Sequence, residues 1–179
     1  MKIVFLDIDG VLNTSREYYR YDQAYKNDPD PQATARLSPH NRHVEHLFGK
    51  EHVEALNSLT DQSGAKIVVS SSWRLFYSGS GDSPPFSELI TLLKRVGVTG
   101  EVIDRTPTVL PKKMSMPMYR GTEIQAWLSA HEEDVENFVI LDDDNDMVHL
   151  TKKLIRTKGS VGLTPIDVKK ALRVLGVES

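Results

Sequence analysis

The chain opens with a strand-like stretch, Lys2 to Leu6, whose unbroken apolar run Ile3 to Leu6 stops at Asp7-Ile8-Asp9-Gly10. Similar short runs, apolar and often β-branched, recur at Lys66 to Val69, Glu101 to Asp104, Phe138 to Leu141 and Lys153 to Arg156, and each reads as a strand. The segments between them have helical period. Glu51 to Gln62 spaces Val53, Leu56 and Leu59 along one helix face and stops at Gly64. Pro85 to Val96 aligns Phe86, Leu89, Ile90 and Leu93, with Gly97 as its stop. Thr122 to Ala130 carries Ile124, Trp127 and Leu128, and Ile166 to Leu175 forms a last helix behind Pro165. Strand–helix alternation predicts an α/β fold: a three-layer sandwich around a central parallel sheet of about five strands.

One stretch breaks the rhythm. Thr14 to Lys50 is polar, rich in Tyr, His, Asn, Asp and Pro, with weak periodicity. It leaves directly from Asp7–Gly10, so residues 14–50 are expected to form an inserted flap or small cap above the strand ends. The 179 residues otherwise suit one domain, spanning 1–179.

Composition changes this picture little but excludes several chemistries. A 39% hydrophobic and 26% charged chain is ordinary for a globular protein. A net charge of -3 argues against a broadly basic nucleic-acid coat, though not against a local basic groove. The absence of cysteine excludes disulfides, zinc-thiolate sites and thiol nucleophiles. The start is strand-like rather than leader-like, and no run approaches a membrane span, so a cytoplasmic protein without a membrane partner is expected. No heptad or apolar stripe marks an oligomer interface.

Candidate chemistry follows from what stands after each strand, because parallel α/β sheets bind ligands at their carboxyl ends. Asp7 and Asp9 follow the first strand, Ser70 to Ser72 the second, and Asp142, Asp143, Asp144 and Asp146 the fourth; Arg120 stands just before a helix. Carboxylates gathered on one rim repel each other and need a cation. Ligation by oxygen alone points to a hard ion, Mg²⁺. Serine hydroxyls and an arginine suit phosphate oxygens. An aspartate beside such an ion can attack phosphorus to give an aspartyl-phosphate. A second carboxyl two residues on can protonate the leaving oxygen and then activate water.

Other readings of these residues are weaker. A calcium-binding loop over Asp142–Asp146 fails, since Met147 stands where its turn glycine belongs and Lys153 where its last acid belongs. No Gly-x-Ser-x-Gly elbow surrounds Ser70, and no phosphate-binding Gly-x-x-x-x-Gly-Lys-Ser/Thr loop exists. His40, His43 and His46 drift around a helix and read as surface residues of the insert rather than a metal site. Trp127 reads as core. Tyr18, Tyr19, Tyr21 and Tyr25, interleaved with Arg16, Arg20 and Lys26, either stack bases or anchor the insert.

Together "FLDIDGVLN", "KIVVSSSW" and "VILDDDNDM" resemble the first, second and fourth motifs of the haloacid dehalogenase (HAD) superfamily. The wider set "DIDGVLN", "SSSWR", "RGTEIQAWL" and "ILDDDNDM" is similar to the HAD domain of Swiss Army Knife RNA repair proteins, over nearly the whole chain. The resemblance implies a HAD-like, Rossmannoid fold and a Mg²⁺-dependent phosphatase. It implies Asp7 as nucleophile and metal ligand. Asp9 would be the acid/base, its carbonyl also touching the metal. Ser70, with the backbone around Ser71, would hold phosphate, and Asp142, Asp143 and Asp146 would be direct or supporting metal ligands. The third-motif cation is Arg120, with Lys112 and Lys113 as rivals. Val11 stands where many members carry Thr, which loses a hydroxyl but no catalytic group. The implied substrate is a phosphorylated nucleic-acid end. The alternatives are a 5′- or 3′-nucleotidase acting on free mononucleotides, another phosphorylated small molecule, and, in a different class, a non-catalytic phosphate or nucleotide sensor.

Overall fold

The computed structural model describes residues 1–35, 38, 41–109 and 119–177. Lys112, Lys113 and His40 lie outside them. Five strands, β1 (Lys2–Leu6), β2 (Lys66–Val69), β3 (Val102–Arg105), β4 (Asn137–Asp142) and β5 (Leu154–Arg156), form one sheet in the order β3-β2-β1-β4-β5. Every pairing is parallel. The expected α/β three-layer architecture is therefore present.

Alternation along each strand divides the core in two. Val4, Leu6, Ile67, Val69, Val139 and Leu141 face one way, onto α3 (Lys50–Ser63), α5 (Phe86–Arg95) and α7 (Pro165–Val174). Ile3, Phe5, Val68 and Ile140 face the other way, onto α6 (Arg120–Ala130) and the short 3₁₀ turn Val148–Lys153. Trp127 belongs to this second core: its ring stands edge-on to Phe5 at 5.4 Å and its indole N–H donates to Asp104 at 2.6 Å. β1 is buried on both faces, which explains its unbroken apolar run.

The helix ends follow local chemistry. Gly64 ends α3 in the left-handed region, where glycine has no Cβ to clash. Thr164 and Asp167 form a reciprocal capping box at the start of α7, with Pro165 in its first turn.

The polar stretch after β1 is more regular than its pattern suggests. It contains α1 (Ser15–Tyr25), the short α2 (Pro31–Thr34) and a 3₁₀ turn, Val44–Leu47. Thr14 caps α1 by accepting from the Arg16 N–H at 3.1 Å. Of the α1 residues only Glu17 and Tyr21 are buried, so α1 has no apolar stripe to betray it. A further helical turn, α4 (Trp73–Phe76), directly follows β2.

Candidate active site

Register carries the key residues to one level. Leu6 of β1 pairs with Val69 of β2 and with Leu141 of β4. The next residues, Asp7, Ser70 and Asp142, therefore emerge side by side. The ladder continues through them: Asp7 N–H donates to the Leu141 carbonyl at 2.9 Å, and Ser70 N–H to the Leu6 carbonyl at 2.8 Å. Thr106 and Thr157 extend the same rim past β3 and β5, through N–H donations to Val69 and Asp142.

Asp7, Asp142 and Asp143 bring carboxylate oxygens within 4.8 Å of one another. Asp7 and Asp142 are buried and Asp143 partly so. Burial pushes the Asp7 carboxyl up to about 6, against the opposing pull of Arg120, a Ser71 hydrogen bond and the Ile8 N–H. Burial, reinforced by the Asp7 charge, pushes Asp142 up to about 8. Asp143 is also raised, mainly by burial. One oxygen of Asp142, Oδ1, accepts from the Asp144 N–H at 2.9 Å. The other, Oδ2, is buried without a hydrogen-bond partner, with Arg120 Nε 3.7 Å away. An orphaned carboxylate oxygen inside an all-oxygen acidic cluster is what a hard cation would satisfy, so these residues fit a metal ion.

Ser70 Oγ is likewise buried and unpartnered. The Ser71 hydroxyl turns inward: it bonds Asp7 and accepts from the Trp73 N–H at 3.4 Å. Arg120 stands at the N-terminus of α6, its guanidinium between Asp142 and Glu123, 3.9 Å from the latter. Asp146 does not face the acidic cluster freely; its Oδ2 accepts from the Arg120 N–H at 2.9 Å and so caps α6. Gly121 allows this join, because a Cβ there would lie 2.3 Å from the Met147 carbonyl oxygen. Asp144 is exposed and bonds only its own loop.

Asp9 lies across from this cluster and is held by three donors on a single oxygen. Oδ1 accepts from Asn13 Nδ2 at 3.0 Å, from Trp73 Nε1 at 3.1 Å and from the Tyr18 hydroxyl. Asn13 also receives the Gly10 N–H at 3.2 Å, which closes the loop after β1. Nothing in the sequence pattern links any of these three partners to Asp9. Asn13 stands within the quoted first motif and Trp73 within the second, but only the folded chain brings them to Asp9. Tyr18 comes from the aromatic-basic stretch, where Tyr21 is buried and Tyr25 stacks on His43 at 3.8 Å. Tyr18, Tyr21 and Tyr25 pack in or against the main hydrophobic core; Tyr19 and Arg20 remain exposed. Among the described residues, His43 and His46 belong to no group of potential metal ligands.

Arg74, at the end of "SSSWR", is diverted from the rim. It is buried, pairs with Glu123 at 2.5 Å, and donates to the carbonyls of Ser71 at 2.7 Å and Thr106 at 3.0 Å. It clamps the loop after β2 to α6. Glu123, its partner, has no signal in the sequence beyond its place in a helix.

A doubly covered parallel sheet, with a buried carboxylate after β1, a hydroxyl after β2 and paired acids after β4, defines a HAD-type α/β domain. The family described as the HAD domain in Swiss Army Knife RNA repair proteins matches residues 3–168, and the chain belongs to it. No curated protein and no solved structure matches the chain. Among the described residues, no helix is long and apolar enough to cross a membrane.

Proposed function

We propose that the chain is a Mg²⁺-dependent phosphatase that hydrolyses a phosphomonoester through an aspartyl-phosphate on Asp7. The observation that carries this reading is the buried cluster of Asp7, Asp142 and Asp143, with Asp142 Oδ2 left unpartnered. Asp7, Asp142 and Asp143 would hold the ion, with Asp146 behind them and the Asp9 carbonyl beside them. When bound, Mg²⁺ supplies positive charge that offsets the carboxylate repulsion and draws phosphate oxygens to the rim.

The chain's own groups then divide the work. Ser70 Oγ and the Arg120 guanidinium hold phosphate oxygens and offset their charge. An oxygen of Asp7 attacks phosphorus, forming a P–O bond as the bond to the leaving oxygen breaks. Asp9 gives its proton to that oxygen. Water then attacks the aspartyl-phosphate, its proton passes to Asp9, and the P–O bond to Asp7 breaks. With all three donors on Oδ1, Oδ2 of Asp9 is the oxygen available for these transfers.

The family's place in RNA repair supports a phosphorylated nucleic-acid end as substrate. A cleft of about 410 Å³ beside Asp143, lined by Arg156, Thr157, Lys158 and Gly159, offers basic side chains to neighbouring phosphates of such a strand. A mononucleotidase is the alternative within the class. The test is phosphate release from p-nitrophenyl phosphate and from 3′- and 5′-phosphorylated oligonucleotides and mononucleotides, with Mg²⁺ and with chelator. Mg²⁺-dependent release that disappears in Asp7→Asn is expected. Release undiminished in that variant overturns the mechanism, and a preference for mononucleotides over oligonucleotides overturns the nucleic-acid reading alone.

A further inference from the structure

A second cluster lies away from the rim, where α1 meets α3. His52 is buried, 4% exposed, and its Nδ1 sits 3.0 Å from the Leu163 carbonyl. A carbonyl can only accept, so Nδ1 carries a proton, and in the neutral ring Nε2 presents a lone pair. Nε2 is buried without a hydrogen-bond partner and stands 4.0 Å from Oε2 of Glu17, itself buried. Nε2 is thus the orphan, beside a carboxylate oxygen that already accepts from the Thr14 hydroxyl, and leaving it so costs free energy unless a cation or proton lies between the two. Glu51 joins them: ligand atoms of Glu17, Glu51 and His52 lie within 4.8 Å of one another.

We propose that Glu17, Glu51 and His52 form a second divalent-cation site, of the imidazole–carboxylate type that suits zinc. Tetrahedral zinc with bonds of ~2.0–2.2 Å holds its nitrogen and oxygen ligands ~3.4 Å apart, so Nε2 and Oε2, 4.0 Å apart, would close by roughly half an ångström around the ion. The ring is already oriented. Its Nδ1–H is fixed on a backbone carbonyl, the arrangement that metal-binding histidines use to set their tautomer. Gly49 and Gly162 lie along its edge, where a Cβ would fall 2.5 and 2.7 Å from ring carbons, so the absence of side chains at these positions makes room for the ring. Arg16 contacts both Glu17 and Glu51 and supplies their counter-charge; half exposed, it can swing to solvent when an ion enters. A cavity of about 680 Å³ between α3 and α7, bordered by Arg16, Glu51 and His52, gives the approach. The ion would fasten α1 to α3, one residue before the Tyr18 that reaches Asp9.

The test uses the full chain dialysed against Mg²⁺ buffer with trace Zn²⁺, followed by metal analysis and thermal denaturation. Wild type and Asp142→Asn are each expected to retain one equivalent of zinc and to melt higher with it. Glu51→Gln, changed at an exposed position, is expected to weaken retention by about an order of magnitude, and His52→Gln to abolish it. No retained zinc in wild type overturns the proposal and leaves a His52–Glu17 proton pair as the occupant. Zinc lost from Asp142→Asn but kept by Glu51→Gln also overturns it, since the ion then sits at the rim.

Discussion

The indole Nε1 of Trp73 donates to Oδ1 of Asp9 across 3.1 Å, so a residue after β2 aims the carboxylate that follows β1. The Tyr18 hydroxyl, from helix α1, lands on the same oxygen. Acting through Asp9, both are positioning residues for the proposed proton carrier. Trp73→Phe and Tyr18→Phe are expected to lower kcat about tenfold or more, within the ~10²–10⁴ that a general acid contributes, with KM little changed. The loss should be larger for alkyl phosphates than for p-nitrophenyl phosphate, whose leaving group needs less protonation. Equal losses with both substrates would assign these side chains a purely structural role.

The acidic cluster that serves the proposed chemistry strains the metal-free fold. The folded Asp142 carboxyl titrates near 8 against an ordinary value of 3.8, so the folded state holds its proton more tightly than the unfolded chain. Its contribution to stability is full below about pH 4 and is lost as pH rises toward 8. Asp7, pushed to about 6, adds in the same direction. In chelator at pH 8, Asp142→Asn is therefore expected to melt higher than wild type, by roughly 5 °C or more. The gap should narrow at pH 5 and shrink on adding Mg²⁺ to wild type, while the variant loses activity. A variant less stable than wild type at pH 8 would falsify this account.

How far these features could be read in advance depended on where the signal lay. β1 and β2 match their expected bounds because burial on both faces makes them continuous apolar runs. β3 sits one residue later than expected, at Val102–Arg105, since this edge strand is only partly buried and its polar ends mark no boundary. Asp7, Ser70 and Asp142 could be picked out because parallel register turns "first residue after the strand" into a shared position. The clasp on Asp9 could not, for Asn13, Tyr18 and Trp73 meet only through loops whose paths the pattern does not specify. The α1 helix was hidden for a related reason: its stability comes from a cap and tyrosine anchors rather than from an apolar stripe.

Arg74 and Glu123 form a buried pair whose loss should be felt in stability before chemistry. Both are nearly inaccessible, and Arg74 also satisfies the carbonyls of Ser71 and Thr106. Arg74→Met leaves the Glu123 carboxylate buried with, among the described residues, Arg120 as its cationic neighbour at 3.9 Å. The expected cost is ~3–5 kcal/mol, because an uncompensated buried charge replaces a pair. Adding Glu123→Leu should recover part of it, since no charge then remains to desolvate. Urea unfolding of both variants measures this; no recovery in the double variant would place the cost in the lost carbonyl hydrogen bonds.

Two glycines at the rim should respond to an added methyl in opposite ways. At Gly121 a Cβ would lie 2.3 Å from the Met147 carbonyl oxygen, and backbone cannot yield there. Gly121→Ala is expected to part α6 from the β4 loop and lower stability by ~1–3 kcal/mol, the range for a core overpacked by a methyl. At Gly159 the obstruction is Oδ2 of Asp143, 2.6 Å away, while the next atom is 3.6 Å away. A carboxylate can rotate, so Gly159→Ala should leave the melting temperature nearly unchanged but turn Asp143 from the position it shares with Asp7 and Asp142. If Asp143 helps hold the ion, half-maximal activation then needs more Mg²⁺, by about tenfold, the lower end of what a disturbed metal shell costs. Mg²⁺ titrations of activity, paired with melting curves, separate the two glycines. An unchanged Mg²⁺ requirement in Gly159→Ala would remove Asp143 from the metal shell and leave Asp7 and Asp142 as its carboxylates.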